Sequence, residues 1–168
     1  REDMGAKSFP YHIIWRSLAP AKVSFFVWEA SHGKILTIDN LQRRGFSLVN
    51  RCYMCKGESE TVDHLLLHCE AARALWDTAF NCLGVCWVES DSTKNHLLAW
   101  EGFFGRKVRK KNKAGWTLSH VIFWCIWRER NRRAFEGVET PIQFLKDSVL
   151  KTLYFWNSGK LCSSAFEL

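Results

Sequence analysis

Four soft metal ligands fall within the stretch CYMCKGESETVDHLLLHC, from Cys52 to Cys69. Their spacing, Cys-x2-Cys-x8-His-x4-Cys, suits a single tetrahedral ion. A tight turn presents Cys52 and Cys55, and the start of a helix closes on the same ion with His64 and Cys69. Mixed thiolate and imidazole donors in a closed set favour zinc. The competing reading is two buried cysteines beside an unrelated histidine, which a span this short argues against.

Cys52, Cys55 and His64 belong to every version of the site, and the fourth ligand divides two arguments. On an unbroken α-helix His68 lies about 40° around the axis from His64, whereas Cys69 lies about 140° away. Helical geometry thus favours His68. Thiolate affinity favours Cys69, which we expect, with His68 as the alternative; Cys69 requires the backbone to kink between Leu66 and Cys69. Four protein ligands leave no open position, so the expected zinc is single and structural, with no role as a Lewis acid.

The rest of the chain predicts helices. Pro20 opens one in which Val23, Phe26, Val27 and Ala30 form an inward stripe, and Gly33 ends it. Thr37 caps a short helix from Ile38 to Arg44, with Gly45 beyond it. Residues 46–51 lead into the cysteine turn in extended form, and Ser59 or Thr61 caps the turn carrying His64. Ala72, Leu75, Trp76, Ala79 and Leu83 share one face of a helix that Gly84 stops. A short helix at Lys94–Trp100 precedes the basic run RKVRKKNK, and a long helix spans Leu118–Phe135, apolar and then basic. Pro141 opens a last helix with a seam of Ile142, Leu145, Val149, Leu153 and Trp156. The fold class is therefore mainly α: a multi-helix domain with a short Cys-Cys-His-Cys zinc clip and at most a short hairpin or extended segment before it. The expected organisation is a zinc-binding helical module over 10–84, a variable basic linker over 85–115 and a two-helix unit over 116–158 packing on the same core.

With 168 residues, 47% of them apolar, and nine tryptophans, the chain has ample material for a packed core. Seven cysteines, an odd number, and no leader pattern point to a reduced, intracellular setting. The longest apolar run, Val121–Trp127, is seven residues and cannot span a bilayer, so no membrane is expected. The chain begins at Arg1 and is expected to be a piece of something longer.

A formal charge of +7 points to a polyanionic partner, RNA or DNA, and no small-molecule substrate is expected. Three surfaces are candidates: Arg43 and Arg44 near the metal motif; the run Arg106, Lys107, Arg109, Lys110, Lys111 and Lys113; and a helix face with Arg128, Arg130, Arg132 and Arg133. Phosphate contacts by such residues release counterions, and Tyr53 can stack on an unpaired base. The alternative is that these charges are solvated or paired with Glu129, Glu136 and Glu139. Cys82, Cys86 and His96 are read as ordinary residues and not as a second metal site, Cys125 as core, and Cys162 as a tail thiol. His12 and His120 have no catalytic partner at useful spacing, and no catalytic residues are expected.

Several words in order carry a family likeness. IWRSLAPAKVSFFVWEASHGKILTIDNLQRRG, the metal motif with Glu60-Thr61 inside it, ARALW through Trp76, and WCIWRERNRRAFEG together resemble the reverse-transcriptase zinc-binding domain of plant LINE-type retrotransposons. The likeness covers about residues 10–157. It implies metal ligands at Cys52, Cys55, His64 and Cys69, a place after a polymerase core in a longer polyprotein, and a nuclear location. It implies an accessory role in RNA or DNA binding, or alternatively a zinc-stabilised protein-interaction module. No Asp-Asp polymerase pair and no RNase H-like carboxylate set occurs in the chain, so an enzyme is not expected.

Overall fold

The computed structural model describes residues 8–87, 89–105 and 113–159. It is mainly helical, and no strand occurs among the described residues. The helices are α1 (Tyr11–Arg16), α2 (Ala21–Ser31), α3 (Ile38–Arg43), a π-helical turn (His64–His68), α4 (Glu70–Leu83), α5 (Thr93–Phe104), α6 (Lys113–Glu136) and α7 (Ile142–Asn157).

The hub is α6. Its 24 residues make a rod about 36 Å long, and every residue from Gly115 to Phe123 is buried. A helix apolar all round must be covered on all sides, and α1, α2, α4, α5, α7 and the π turn all pack on it. One buried cluster runs from Ile13 to Trp156, with Trp76, Trp100 and Trp116 at its centre. Phe104 of α5 lies so close to α6 that a Cβ added at Gly115 would meet its ring at 2.4 Å. The Gly115 carbonyl, uncovered by any side chain of its own, accepts from Trp100 Nε1 at 2.8 Å.

The stripe of Val23, Phe26, Val27 and Ala30 is buried as the period-3.6 pattern requires. The α4 face of Ala72, Leu75, Trp76 and Ala79 is buried likewise, and Gly84 takes the left-handed conformation (φ 64°) that ends the helix. Three features differ from expectation. Helix α1 has no sequence signal; its Ile13 amide is met by the buried carboxylate of Glu101, at 3.1 Å from 88 positions away. The short helix expected at Lys94–Trp100 runs longer, over residues 93–104, as α5, and it buries His96, Leu97, Trp100 and Glu101, so this part of the expected linker is core material. Thr37 stands at the N-cap of α3 but makes no capping bond, its hydroxyl being turned to Asp39.

Candidate metal centre

The π turn resolves the geometric conflict in the sequence. An α-helix would carry Cys69 far from His64, but an i→i+5 hydrogen bond widens the turn and brings residue i+5 back over residue i. Here the Cys69 amide donates to the His64 carbonyl at 2.6 Å. Cys69 then leaves the helix (φ −60°, ψ 139°) and becomes the N-cap of α4. The kink thus falls at Cys69. Its cost is a carbonyl outside the regular ladder, and Trp76 Nε1 donates to the Leu66 carbonyl at 3.0 Å. Leu65, Leu66 and Leu67 are all buried, and Thr61, not Ser59, supplies the hydroxyl that accepts from the His64 amide at 3.1 Å.

The ligand atoms of Cys52, Cys55, His64 and Cys69 lie within 4.8 Å of one another. Cys52 and Cys69 Sγ are 4.0 Å apart, and Cys55 Sγ is 3.4 Å from His64 Nε2. Zinc bond lengths and a tetrahedral angle require about 3.8 Å between sulfurs and about 3.6 Å between sulfur and nitrogen, so the four residues fit such an ion. The cysteines are free thiols. His68 is turned away: its Nε2 lies 3.2 Å from the Asp91 carbonyl and its Nδ1 3.7 Å from the Glu89 carboxylate.

Protonation follows the same geometry. The hydrogen bond to Cys69, reinforced by burial, raises the Cys52 thiol. That same bond holds Cys69 below the ordinary thiol range, so Cys69 is the readier thiolate. Burial lowers His64 and keeps its imidazole in the neutral form that binds a cation.

The metal turn is held by a carboxylate that sequence reasoning passed over. Glu60, fully buried, accepts from the Ile38 amide at 3.1 Å, the Tyr53 amide at 3.2 Å, and Arg130 Nε and Nη2 at 3.1 and 2.7 Å. It thereby caps α3 in place of Thr37, fixes the cysteine turn and anchors α6. Asp63, next to His64, accepts from the amide and hydroxyl of Thr93 at 2.7 and 2.8 Å and fixes α5. On the cysteine turn Lys56 adopts φ 59°, a left-handed conformation unusual for a side chain with a Cβ, and it pairs with Glu139.

Two of the expected nucleic-acid residues are therefore corrected. Arg130 is 3% exposed, bound to Glu60 and stacked on Tyr53 and Trp127, with its guanidinium carbon 5.0 and 5.2 Å from the ring centres. Arg133 pairs with Glu129 at 2.8 Å and donates to the Met54 carbonyl at 2.9 Å. A basic run on a helix has an inward side, and both side chains lie on it. Arg128 and Arg132 are exposed, the latter 3.7 Å from Glu136. Arg43 and Arg44 are exposed at the end of α3. Lys113 begins α6, whereas Arg106, Lys107, Arg109, Lys110 and Lys111 lie outside the described residues, as does Cys162. His96 is packed among Trp76, Trp100 and Phe123. Burial in α6 pushes the Cys125 thiol up to about 12. No helix among the described residues is long and apolar enough to cross a membrane.

Comparison with known proteins agrees with this centre. A family described as zinc-binding in reverse transcriptase matches residues 2–76. A putative ribonuclease H protein of Arabidopsis thaliana is 30% identical over 66 residues, which is 39% of this chain and 11% of that protein. No solved structure matches. The matched segment contains the whole Cys3His cluster, which could hold a metal ion. Residues 2–76 are thus similar to the family described as zinc-binding in reverse transcriptase.

Proposed function

We propose that this chain is a structural-zinc accessory segment of a retroelement reverse transcriptase, assisting RNA or DNA binding without catalysis of its own. The observation that carries the reading is the coupling of the metal turn to a cationic surface. Glu60 joins the Tyr53 amide to the Ile38 amide, so α3, ending in the exposed Arg43 and Arg44, is fixed to the loop an ion would lock. One zinc ion on Cys52, Cys55, His64 and Cys69 fills its tetrahedron and contributes on the order of 10 kcal/mol to folding. Arg128 and Arg132 add exposed cationic charge, and the run Arg106–Lys113 adds further positive charge in the sequence. The polymerase core of a parent polyprotein is the neighbour this role implies, and the nucleus its location.

Exposed Phe135, Phe144 and Tyr154 favour a second reading, a zinc-stabilised surface for another protein. Titrating labelled RNA and DNA into the zinc-loaded chain at several salt concentrations separates the two. The first reading expects micromolar or tighter binding that weakens several-fold as salt doubles. Chelation should melt at least residues 46–84 and abolish binding. Replacing Arg106–Lys113 with Ser and Gly should weaken all sequences alike, because phosphate contacts carry no sequence information. No binding at low salt leaves the protein-interaction reading.

A further inference from the structure

Between Arg43 and Gly57 the chain reads RRGFSLVNRCYMCKG and carries no acidic residue. Residues 46–52 form neither helix nor strand. The fold leaves the apolar side chains of this strip in water: Phe46 is 57% exposed and Val49 86%. Arg43, Arg44, Arg51 and Lys56 are interleaved with them, all exposed. Beside the strip opens a cleft of about 450 Å³ lined by Val49, Arg51, Tyr53, Lys56, Arg133 and Glu139. Lys56 pairs there with Glu139 and Arg133 with Glu129, while Arg51 adds a cation with no carboxylate partner among the lining residues.

Tyr53 lines this cleft, and its ring is backed by the Arg130 guanidinium at 5.0 Å. Arg130 is itself locked on Glu60. The aromatic platform is thus set before any ligand arrives, which removes an ordering cost from binding. Cations alternating with exposed rings match a chain of phosphates carrying unstacked bases. Duplex bases are stacked within the helix and offer no face to such rings.

Building on the nucleic-acid reading above, we propose that the strip Arg43–Lys56 is the path of a single strand, with bases stacking on Phe46 and on Tyr53 in the cleft and phosphates meeting Arg43, Arg44 and Arg51. A protein partner would need an acidic surface to match four cations, whereas a polynucleotide supplies that charge at every residue.

The test uses the full zinc-loaded chain with labelled oligo(U) RNA, single-stranded DNA of mixed sequence and a duplex of equal length. Phe46→Ser and Tyr53→Ser should each weaken single-strand binding roughly 5- to 100-fold. Duplex binding should change by less than about twofold. Tyr53→Phe, which keeps the ring, should restore the affinity. Phe46 is mostly exposed and lies outside the core cluster, so its variant reports on binding even if Tyr53→Ser disturbs the metal turn. Equal binding of duplex and single strand with both serine variants neutral overturns this path but leaves nucleic-acid binding standing. No binding of any nucleic acid at low salt removes both.

Discussion

Glu60 is the position whose replacement should be felt most widely. Its carboxylate receives four hydrogen bonds, from two backbone amides and from the paired nitrogens of Arg130. Both side chains of the pair are essentially out of water, at 0% and 3% exposure. Glu60→Ala leaves Arg130 charged and unpaired in the interior, a change that costs about 3–5 kcal/mol. The amides of Ile38 and Tyr53 lose their acceptor as well, at about 1–3 kcal/mol for each one that water does not reach. A total near 5 kcal/mol is comparable with the whole stability of many domains. At about 2–4 °C per kcal/mol for a chain of this size, the zinc-loaded protein should melt roughly 10–20 °C lower. Because metal binding and folding are linked, the same loss should appear as zinc affinity weakened by up to about 4,000-fold. Thermal melts by circular dichroism and competition for zinc against a chromophoric chelator measure the two effects. The companion variant is Arg130→Met, alone and combined with Glu60→Ala. Removing both charges leaves no buried ion, so the double variant should be more stable than Glu60→Ala alone. A drop in Tm below about 2 °C for Glu60→Ala, or strictly additive losses in the double variant, would refute the clamp.

Two further perturbations probe the core away from the metal. Burial lowers His96 to about 3 and His120 to about 4, both well under the ordinary imidazole value. The unfolded chain therefore binds more protons between those values and about 6.5, and stability falls as pH drops through that window. Each histidine should cost about 2 kcal/mol between pH 6.5 and 5; urea melts at several pH values should show a flatter slope for His96→Phe, and an unchanged slope would contradict its neutral burial. Gly115→Ala should cost about 1–3 kcal/mol, because the added methyl meets the Phe104 ring. Combining it with Phe104→Ala should recover part of that loss, and a neutral Gly115→Ala would show that the ring moves aside freely.

What could be read from the residues alone was what repeats locally. The α2 and α4 stripes show themselves through a 3.6-residue period, and Gly84 marks a helix end by its own backbone freedom. The cysteine and histidine spacing identifies a ligand set because all four residues come from one short loop. Spacing does not choose between His68 and Cys69, since the answer differs for an α-helix and for the π turn that the chain forms. The donor that helps stabilise this turn, Trp76 to the Leu66 carbonyl, shows in the sequence only as part of the α4 apolar face. Long-range pairs were invisible. Nothing near Ile13 signals that Glu101 will meet its amide, so α1 has no local signal, and nothing near Glu60 names Arg130.

The basic half of α6 shows most clearly why charge in a sequence does not locate a binding surface. In RERNRR, Arg130 and Arg133 point to the metal turn, where a buried carboxylate and two carbonyls await them, while Arg132 points to water. A count of arginines cannot separate these cases, because the sorting depends on what lies across the interface. It also changes the extent of the metal-binding unit. The family match ends at residue 76, yet side chains at 130, 133 and 139 hold the cysteine turn from outside, through Glu60, the Met54 carbonyl and Lys56. The four ligands are local, but the scaffold that presents them is drawn from both halves of the chain. A cation site that needs the C-terminal helices in place gives the basic surface around it one defined shape, and the shape of that surface is what a polynucleotide would meet.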